Sequence, residues 1–147
     1  MSPPDSRRII EQRALTDLPP LGTHERDETG LQLQETLVEL IDLSLLGKQL
    51  HWAVIGALFR PLHLHLDELV DSWRALADTV AERAVTLGYV PDGQAQAVAA
   101  GSPLTPVDQA PLEDHTVVRE LTHRIAQSWC APAWIASGRS TSPRRTC

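Results

Sequence analysis

Two pairs of potential metal ligands share one face of a long predicted helix. We expect the run from Pro61 to Leu87 to form a single helix, on which each residue advances about 100°. His63 and Asp67 are one turn apart on this helix, and so are Asp78 and Glu82. All four side chains fall within an arc of roughly 100°. Any fold of this chain has to account for that alignment.

The two pairs lie too far apart along the helix to serve one ion. Asp67 and Asp78 are separated by roughly 16 Å of helix rise, whereas ligands lie about 2 Å from a small cation. An identical helix placed antiparallel across a two-fold axis would set the histidine pair of one chain opposite the Asp78–Glu82 pair of the other. The geometry therefore predicts two mixed sites in a symmetric dimer.

A further histidine, His51, lies near the end of the preceding helical run. The turn AVIGALFRP, with Gly56 and Pro61, folds the chain back, and an αα-hairpin of this kind brings His51 beside His63. Imidazole and carboxylate ligands with open positions suit Fe(II) that must meet an oxidant. The alternative is that the carboxylates only form the solvated face of a surface helix.

Three segments resemble the Dps family, the mini-ferritins with which bacteria oxidise and store iron: LIDLSLLGKQLHW, PLHLHLDEL and ADTVAERAVTLG. The resemblance runs from about Thr23 to Gln127 and includes the ligand spacing. It implies an all-α fold, a ferritin-like up-down helix bundle with a short helix in the middle connection. It also implies assembly as a hollow dodecamer.

The resemblance further implies a ferroxidase activity that protects against oxidative damage. Iron would be bound as Fe(II), oxidised with hydrogen peroxide and held in the cavity as Fe(III) mineral. The implied site lies between two subunits related by a two-fold axis. One chain would supply His51, His63 and Asp67, and its neighbour would supply Asp78 and Glu82.

Composition narrows the class of protein. The chain has 147 residues, 42% hydrophobic and 22% charged residues, and a net charge of −6, which argues against a generally nucleic-acid-binding surface. No apolar run approaches the roughly 20 residues that span a bilayer, and the N-terminus does not read as a secretory signal. Two cysteines, Cys130 and Cys147, give no disulfide framework. A cytoplasmic protein is the expectation, with nucleoid association as an open possibility.

Three segments are predicted along the chain. Residues 1–25 read as a flexible tail in which acidic and basic residues balance, so little attraction to DNA is expected. Residues 26–128 read as the ferritin-like domain, and residues 129–147 as an irregular tail that is rich in Ser, Arg and Pro. The fourth helix of the family is therefore missing or replaced by this tail. A frameshifted or truncated reading frame would explain such an end.

The predicted helices have apolar stripes at i, i+3 and i+4 spacing. The first helix runs from about Asp27 to Val54 and the second from about Phe59 to Leu87, with Gly88 at its C-cap. GQAQAVAAG is a short helix, and a last helix starts near Leu112. The two stripes comprise Leu33, Leu37, Leu40, Ile41, Leu45 and Gly47 in the first helix, and Leu62, Leu66, Leu69, Trp73, Leu76 and Val80 in the second.

Several other residues have two interpretations each. Trp52 is expected to pack in the core, although it could instead be oxidised beside an iron centre. Lys48 is expected to be solvated, with electrostatic assistance to the site as the alternative. His65 is expected to be exposed. Glu120 and His123 have the Glu-x-x-His spacing of di-iron bundles, but we interpret them as surface residues because a second copy is missing.

Two further functions remain open. The chain could be a non-enzymatic helical subunit, structural or DNA-associated, whose acidic face only mediates assembly. It could also be an inactive truncated fragment of a Dps-like protein, since losing a bundle helix exposes the matching apolar stripes of the others.

Overall fold

The structure is a computed structural model that describes residues 22–130. Its elements are α1 (Thr23–Ala53), β1 (Val54–Ile55), α2 (Phe59–Thr86), α3 (Ala95–Gly101), β2 (Leu112–Glu113) and α4 (Asp114–Cys130). The prediction of an all-helical bundle with a short helix in the middle connection is confirmed. Most of the two predicted tails, residues 1–25 and 129–147, lies outside the described residues.

Helix α1 begins at Thr23, four positions before the predicted start. The N–H of Gly22 donates to Glu25 Oε2 at 2.9 Å, so a glutamate three residues into the helix stabilises its beginning. Helix α2 ends as predicted, because Gly88 has a positive φ of 91°. The N–H of Tyr89 then donates to the Ala84 carbonyl at 3.0 Å, which satisfies a carbonyl at the helix end.

The core lies mainly between α1 and α2, which pack along their length. Gly47 allows this close approach, since a Cβ there would lie 2.7 Å from Val70 Cγ2 and 2.9 Å from Trp73 Cζ3. The buried apolar cluster adds one residue from α4 to the hairpin. It comprises Leu46, Leu50, Val54, Leu66 and Val117.

Three predictions about buried residues are wrong for the described chain. Leu45 is 57% exposed and Leu76 is 52% exposed, because the face of each helix that packs in the core is formed by neighbouring residues instead. The buried residues on these faces include Leu43, Leu46 and Leu50 in α1 and Leu66, Val70, Ala77 and Ala84 in α2. Trp52 was expected to pack in the core but is 70% exposed.

Arg124 attaches α4 to the preceding connection. Its guanidinium is buried and donates to the backbone carbonyls of Thr105 at 3.2 Å and Pro106 at 2.8 Å. It also donates to Glu120, so Glu120 is a half-buried ion-pair partner and its interpretation as a surface residue is wrong. His123 is exposed, as predicted.

Candidate metal centre

The α1–α2 hairpin brings His51 beside His63, as the turn predicted. The two imidazole rings are stacked, with centroids 3.5 Å apart and an angle of 24° between the ring planes. His51 is buried near the end of α1, and His63 is half-buried in the first turns of α2. The ring of Phe59 contacts His63 from one turn earlier, at a centroid distance of 4.9 Å.

Each imidazole is held by the backbone of the other histidine. Nδ1 of His51 is 2.9 Å from the His63 carbonyl oxygen, and Nδ1 of His63 is 3.1 Å from the His51 carbonyl oxygen. A carbonyl oxygen only accepts hydrogen bonds, so both Nδ1 atoms carry the proton. In the neutral ring this tautomer leaves the lone pair on Nε2, which is the form in which an imidazole binds a metal. Each of the two histidines could therefore offer Nε2 to a metal ion.

Asp67 is the third member of this cluster, and Lys48 lies against it. Asp67 Oδ1 is 3.4 Å from His51 Nδ1 and 2.5 Å from Lys48 Nζ. The hydrogen bond from Lys48 is the main cause that holds the pKa of the Asp67 carboxyl below its ordinary value. The expectation of a solvated Lys48 is therefore wrong, and its alternative, an electrostatic role at the site, agrees with this contact. A divalent ion approaching Asp67 would compete with the ammonium group.

Asp78 and Glu82 are not brought to the histidines within one chain. Both are exposed and lie one turn apart on α2, and Asp78 is roughly 16 Å of helix rise from Asp67. Across residues 22–130, no group of three His, Cys, Asp or Glu side chains is arranged to hold a metal ion. One chain thus presents two separate sets of potential ligands. His65, as predicted, is exposed.

Sequence reasoning underestimated Lys48 and missed a residue that contacts the turn between the histidines. Lys48 is one helical turn before His51, which could have placed it on the same face. The other residue, Asp114, begins α4 and accepts a hydrogen bond from the N–H of Leu58 at 3.0 Å. The two residues are 56 positions apart, and no sequence pattern joins them.

Comparison with known proteins identifies the class of protein to which this chain belongs. The profile described as the ferritin-like domain matches residues 31–128. The chain is 37% identical over 109 residues to DNA protection during starvation protein 2 of Deinococcus radiodurans, which is 74% of this chain and 45% of that protein. A crystal structure of Dps92 from D. radiodurans aligns with a TM-score of 0.68 at 34% identity, covering 72% of this chain and 66% of that one.

A second solved structure agrees with the first. DpsC from Streptomyces coelicolor aligns with a TM-score of 0.70 at 28% identity, covering 79% of this chain and 72% of that one. The chain belongs to the Dps family of mini-ferritins within the ferritin-like class. It spans about half the length of the curated relatives it matches, between 45% and 52% for three of them. In the part of the chain that the structure describes, no helix is long and apolar enough to cross a membrane.

Proposed function

We propose that this chain oxidises Fe(II) with hydrogen peroxide at a site shared by two subunits and retains the Fe(III) product. His51, His63 and Asp67 of one chain would bind the iron substrate together with Asp78 and Glu82 of a second copy. The observation that carries the proposal is the reciprocal hydrogen bonding of the two imidazoles, which leaves both Nε2 lone pairs for a metal.

The separation of the ligands on α2 supports a site shared by two copies. A carboxylate roughly 16 Å away along a rigid helix cannot reach the ion that the histidines bind. In an isologous dimer, residue i of one copy meets residue j of the other, and the reverse contact occurs at the second site. Two half-sites in one chain thus become two complete sites in the dimer.

The ligand chemistry favours oxidation. Carboxylate oxygens are hard ligands, and they stabilise Fe(III) relative to Fe(II), so three carboxylates in the complete set lower the free energy of the oxidised product. Each peroxide molecule takes one electron from each of two Fe(II) ions and, with two protons, becomes two water molecules. The protein's part is to bind and orient the ions, since its own residues undergo no net change.

Lys48 has a defined place in this proposal. Before iron binds, its ammonium group neutralises Asp67 beside the histidines. When a divalent ion binds, the ammonium group has to move away, because two cations at one carboxylate repel each other. Lys48 therefore limits the affinity of the site for the ion nearest Asp67.

At the level of the assembly, we propose a soluble, cytoplasmic homo-oligomer, a hollow dodecamer, that limits oxidative damage by removing Fe(II) and peroxide together. Tight DNA binding is not part of the proposal, given the net charge of −6. A gel-shift titration at low salt checks this point, and tight binding that depends on residues 1–25 would contradict it.

The direct test is stopped-flow absorbance of Fe(III) formation after Fe(II) and peroxide are mixed. We expect His51→Ala and Asp78→Ala to slow the reaction strongly relative to the unsubstituted chain. Asp108→Ala is the matched control, because Asp108 is exposed on the connection before β2. Equal rates in all four proteins would defeat the proposal.

A second candidate function is favoured by one relative. The chain is 37% identical over 97 residues to a protein from Haemophilus ducreyi named fine tangled pili major subunit, which is 63% of this chain and 51% of that protein. A purely structural subunit would form assemblies that do not respond to metal and would not oxidise iron. Native mass spectrometry separates the possibilities: twelve subunits support the cage, open polymers support the structural subunit, and monomers or mixed aggregates support an inactive fragment.

A further inference from the structure

We propose that Asp114, the first residue of α4, is a positioning residue for the His51–His63 pair. It acts through the α1–α2 turn, residues 54–58, and contacts neither imidazole. Its consequence for iron rests on the function proposed above. Its effect on the geometry of the histidines is independent of that function.

The Asp114 carboxylate binds the backbone of the turn and of its own helix. Oδ2 accepts the N–H of Leu58 at 3.0 Å, and Oδ1 accepts the N–H of His115 at 2.7 Å. Leu58 is the residue immediately before α2, so the carboxylate lies at the N-terminus of that helix, where a negative charge is favourable. The side chain is 18% exposed, so much of its surface packs against the protein.

The same turn is held at its other end by a short parallel ladder. Val54 pairs with Leu112, and Ile55 pairs with Glu113. Residues 112–114 therefore contact the turn at its beginning and at its end, from a part of the chain that is distant in sequence.

Gly56 lies between these two attachment points and makes the arrangement possible. Its φ is 111°, a backbone conformation that residues other than glycine rarely adopt. A Cβ at this position would lie 2.9 Å from Asp114 Oδ2. The turn thus combines a backbone conformation that glycine adopts freely with close approach of the carboxylate, and both depend on the absence of a side chain at Gly56.

The position of this turn determines whether the histidines can meet. The reciprocal hydrogen bonds between His51 and His63 join the end of α1 to the start of α2 at 2.9 and 3.1 Å. Residues 54–58 are the only covalent path between those two helix ends. An increase of about 1 Å in the separation of the two helix ends would lengthen both bonds beyond hydrogen-bonding distance. The imidazoles would then lose the contacts that fix Nδ1 as the protonated nitrogen.

The charge state of Asp114 supports this role. Hydrogen bonds from the backbone N–H groups of Leu58 and His115 lower the pKa of its carboxyl, so the group is ionised when the turn is in place. A charge-assisted hydrogen bond to a backbone N–H is stronger than a neutral one. Asparagine at this position would keep an acceptor for the Leu58 N–H but lose the charge.

The test compares Asp114→Ala, Asp114→Asn and the control Asp108→Ala in the full chain. The first measurement is nitrogen-15 NMR of the metal-free histidines, which reports the tautomer of each ring. The second is the affinity for Co(II), which serves as a redox-stable probe of the site. We expect Asp114→Ala to remove the Nδ1–H tautomer preference of both rings and to weaken Co(II) binding about 10-fold or more. Asp114→Asn should have a smaller effect, and Asp108→Ala none.

Two results would overturn the proposal: unchanged tautomers in Asp114→Ala, or equal losses in Asp114→Ala and Asp108→Ala. If Asp114→Ala does not fold, Asp114→Asn and Gly56→Ala apply the same test, since the latter displaces the turn without removing the carboxylate. If neither the unsubstituted chain nor any variant binds Co(II), the iron function fails. The positioning role is still supported if Asp114→Ala loses the tautomer preference that the unsubstituted chain shows.

Discussion

Mixing two inactive variants tests whether the site is shared between chains. His51→Ala removes a ligand from the histidine half-site, and Asp78→Ala removes one from the other half-site. We expect each variant alone to lose most of its Fe(II) oxidation rate. In a mixed dimer, one site combines both substitutions, whereas the other combines intact His51 from one chain with intact Asp78 from its partner. Each mixed dimer therefore contains one complete site.

The size of the recovery follows from this geometry. Random association makes half of the dimers mixed, and each has one complete site of two, so about a quarter of the original rate should return. The assay is stopped-flow absorbance of Fe(III) formation after the chains are unfolded and refolded together. Native mass spectrometry on chains with different tags measures the mixed fraction.

A matched mixture controls for refolding artefacts. His51→Ala and His63→Ala both damage the histidine half-site, so a dimer of these two variants has no complete site and should show no recovery. If His51→Ala and Asp78→Ala form mixed dimers but recover no activity, the shared site is refuted. Recovery in both mixtures would show that the assay does not depend on the sites.

Three further outcomes are expected. Lys48→Met should raise the pKa of the Asp67 carboxyl and tighten Co(II) binding, because the competing ammonium group is lost. NMR pH titration measures the pKa, and calorimetry measures the Co(II) affinity. An unchanged Asp67 pKa would contradict the ion pair. Gly47→Ala should lower the free energy of unfolding by about 1–3 kcal/mol, since its Cβ would lie 2.7 Å from Val70 Cγ2; an unchanged urea midpoint would refute that packing. Burial raises the pKa of Glu35 above 4.5. The stability of the fold therefore falls as the pH rises from about 4.5 through that raised pKa, and the penalty is complete above the raised pKa and absent well below 4.5. Glu35→Gln should therefore raise the urea midpoint at pH 7 but not at pH 3, and equal midpoints at pH 7 would contradict the burial of the charge.

Local periodicity was sufficient to predict the hairpin and the meeting of the histidines. Helix phase depends only on position number, and a turn with Gly56 and Pro61 leaves few ways for the chain to continue. The spacing therefore predicted that His51 would lie beside His63, and the ring centroids are 3.5 Å apart. The assignment of Asp78 and Glu82 to a second copy has the same basis and stays a prediction.

The errors arose where a position depends on distant residues. Leu45 and Leu76 fit an apolar stripe, but 3.6 residues per turn lets adjacent columns fit almost equally well, and only the packing partner determines which column is buried. Lys48 was interpreted by its usual preference for water, which the contact with Asp67 overrides. Asp114 could not be found, because its contact with Leu58 joins residues 56 positions apart.

The anchoring of each imidazole on the main chain determines what a single substitution at this site removes. Each ring donates to the backbone carbonyl of the other histidine, and that carbonyl stays in place when the other side chain is replaced. A single substitution therefore removes one imidazole and leaves the surviving ring with its acceptor. A lineage that abandons the centre can lose the two histidines one at a time, because neither depends on the side chain of the other for its hydrogen bond.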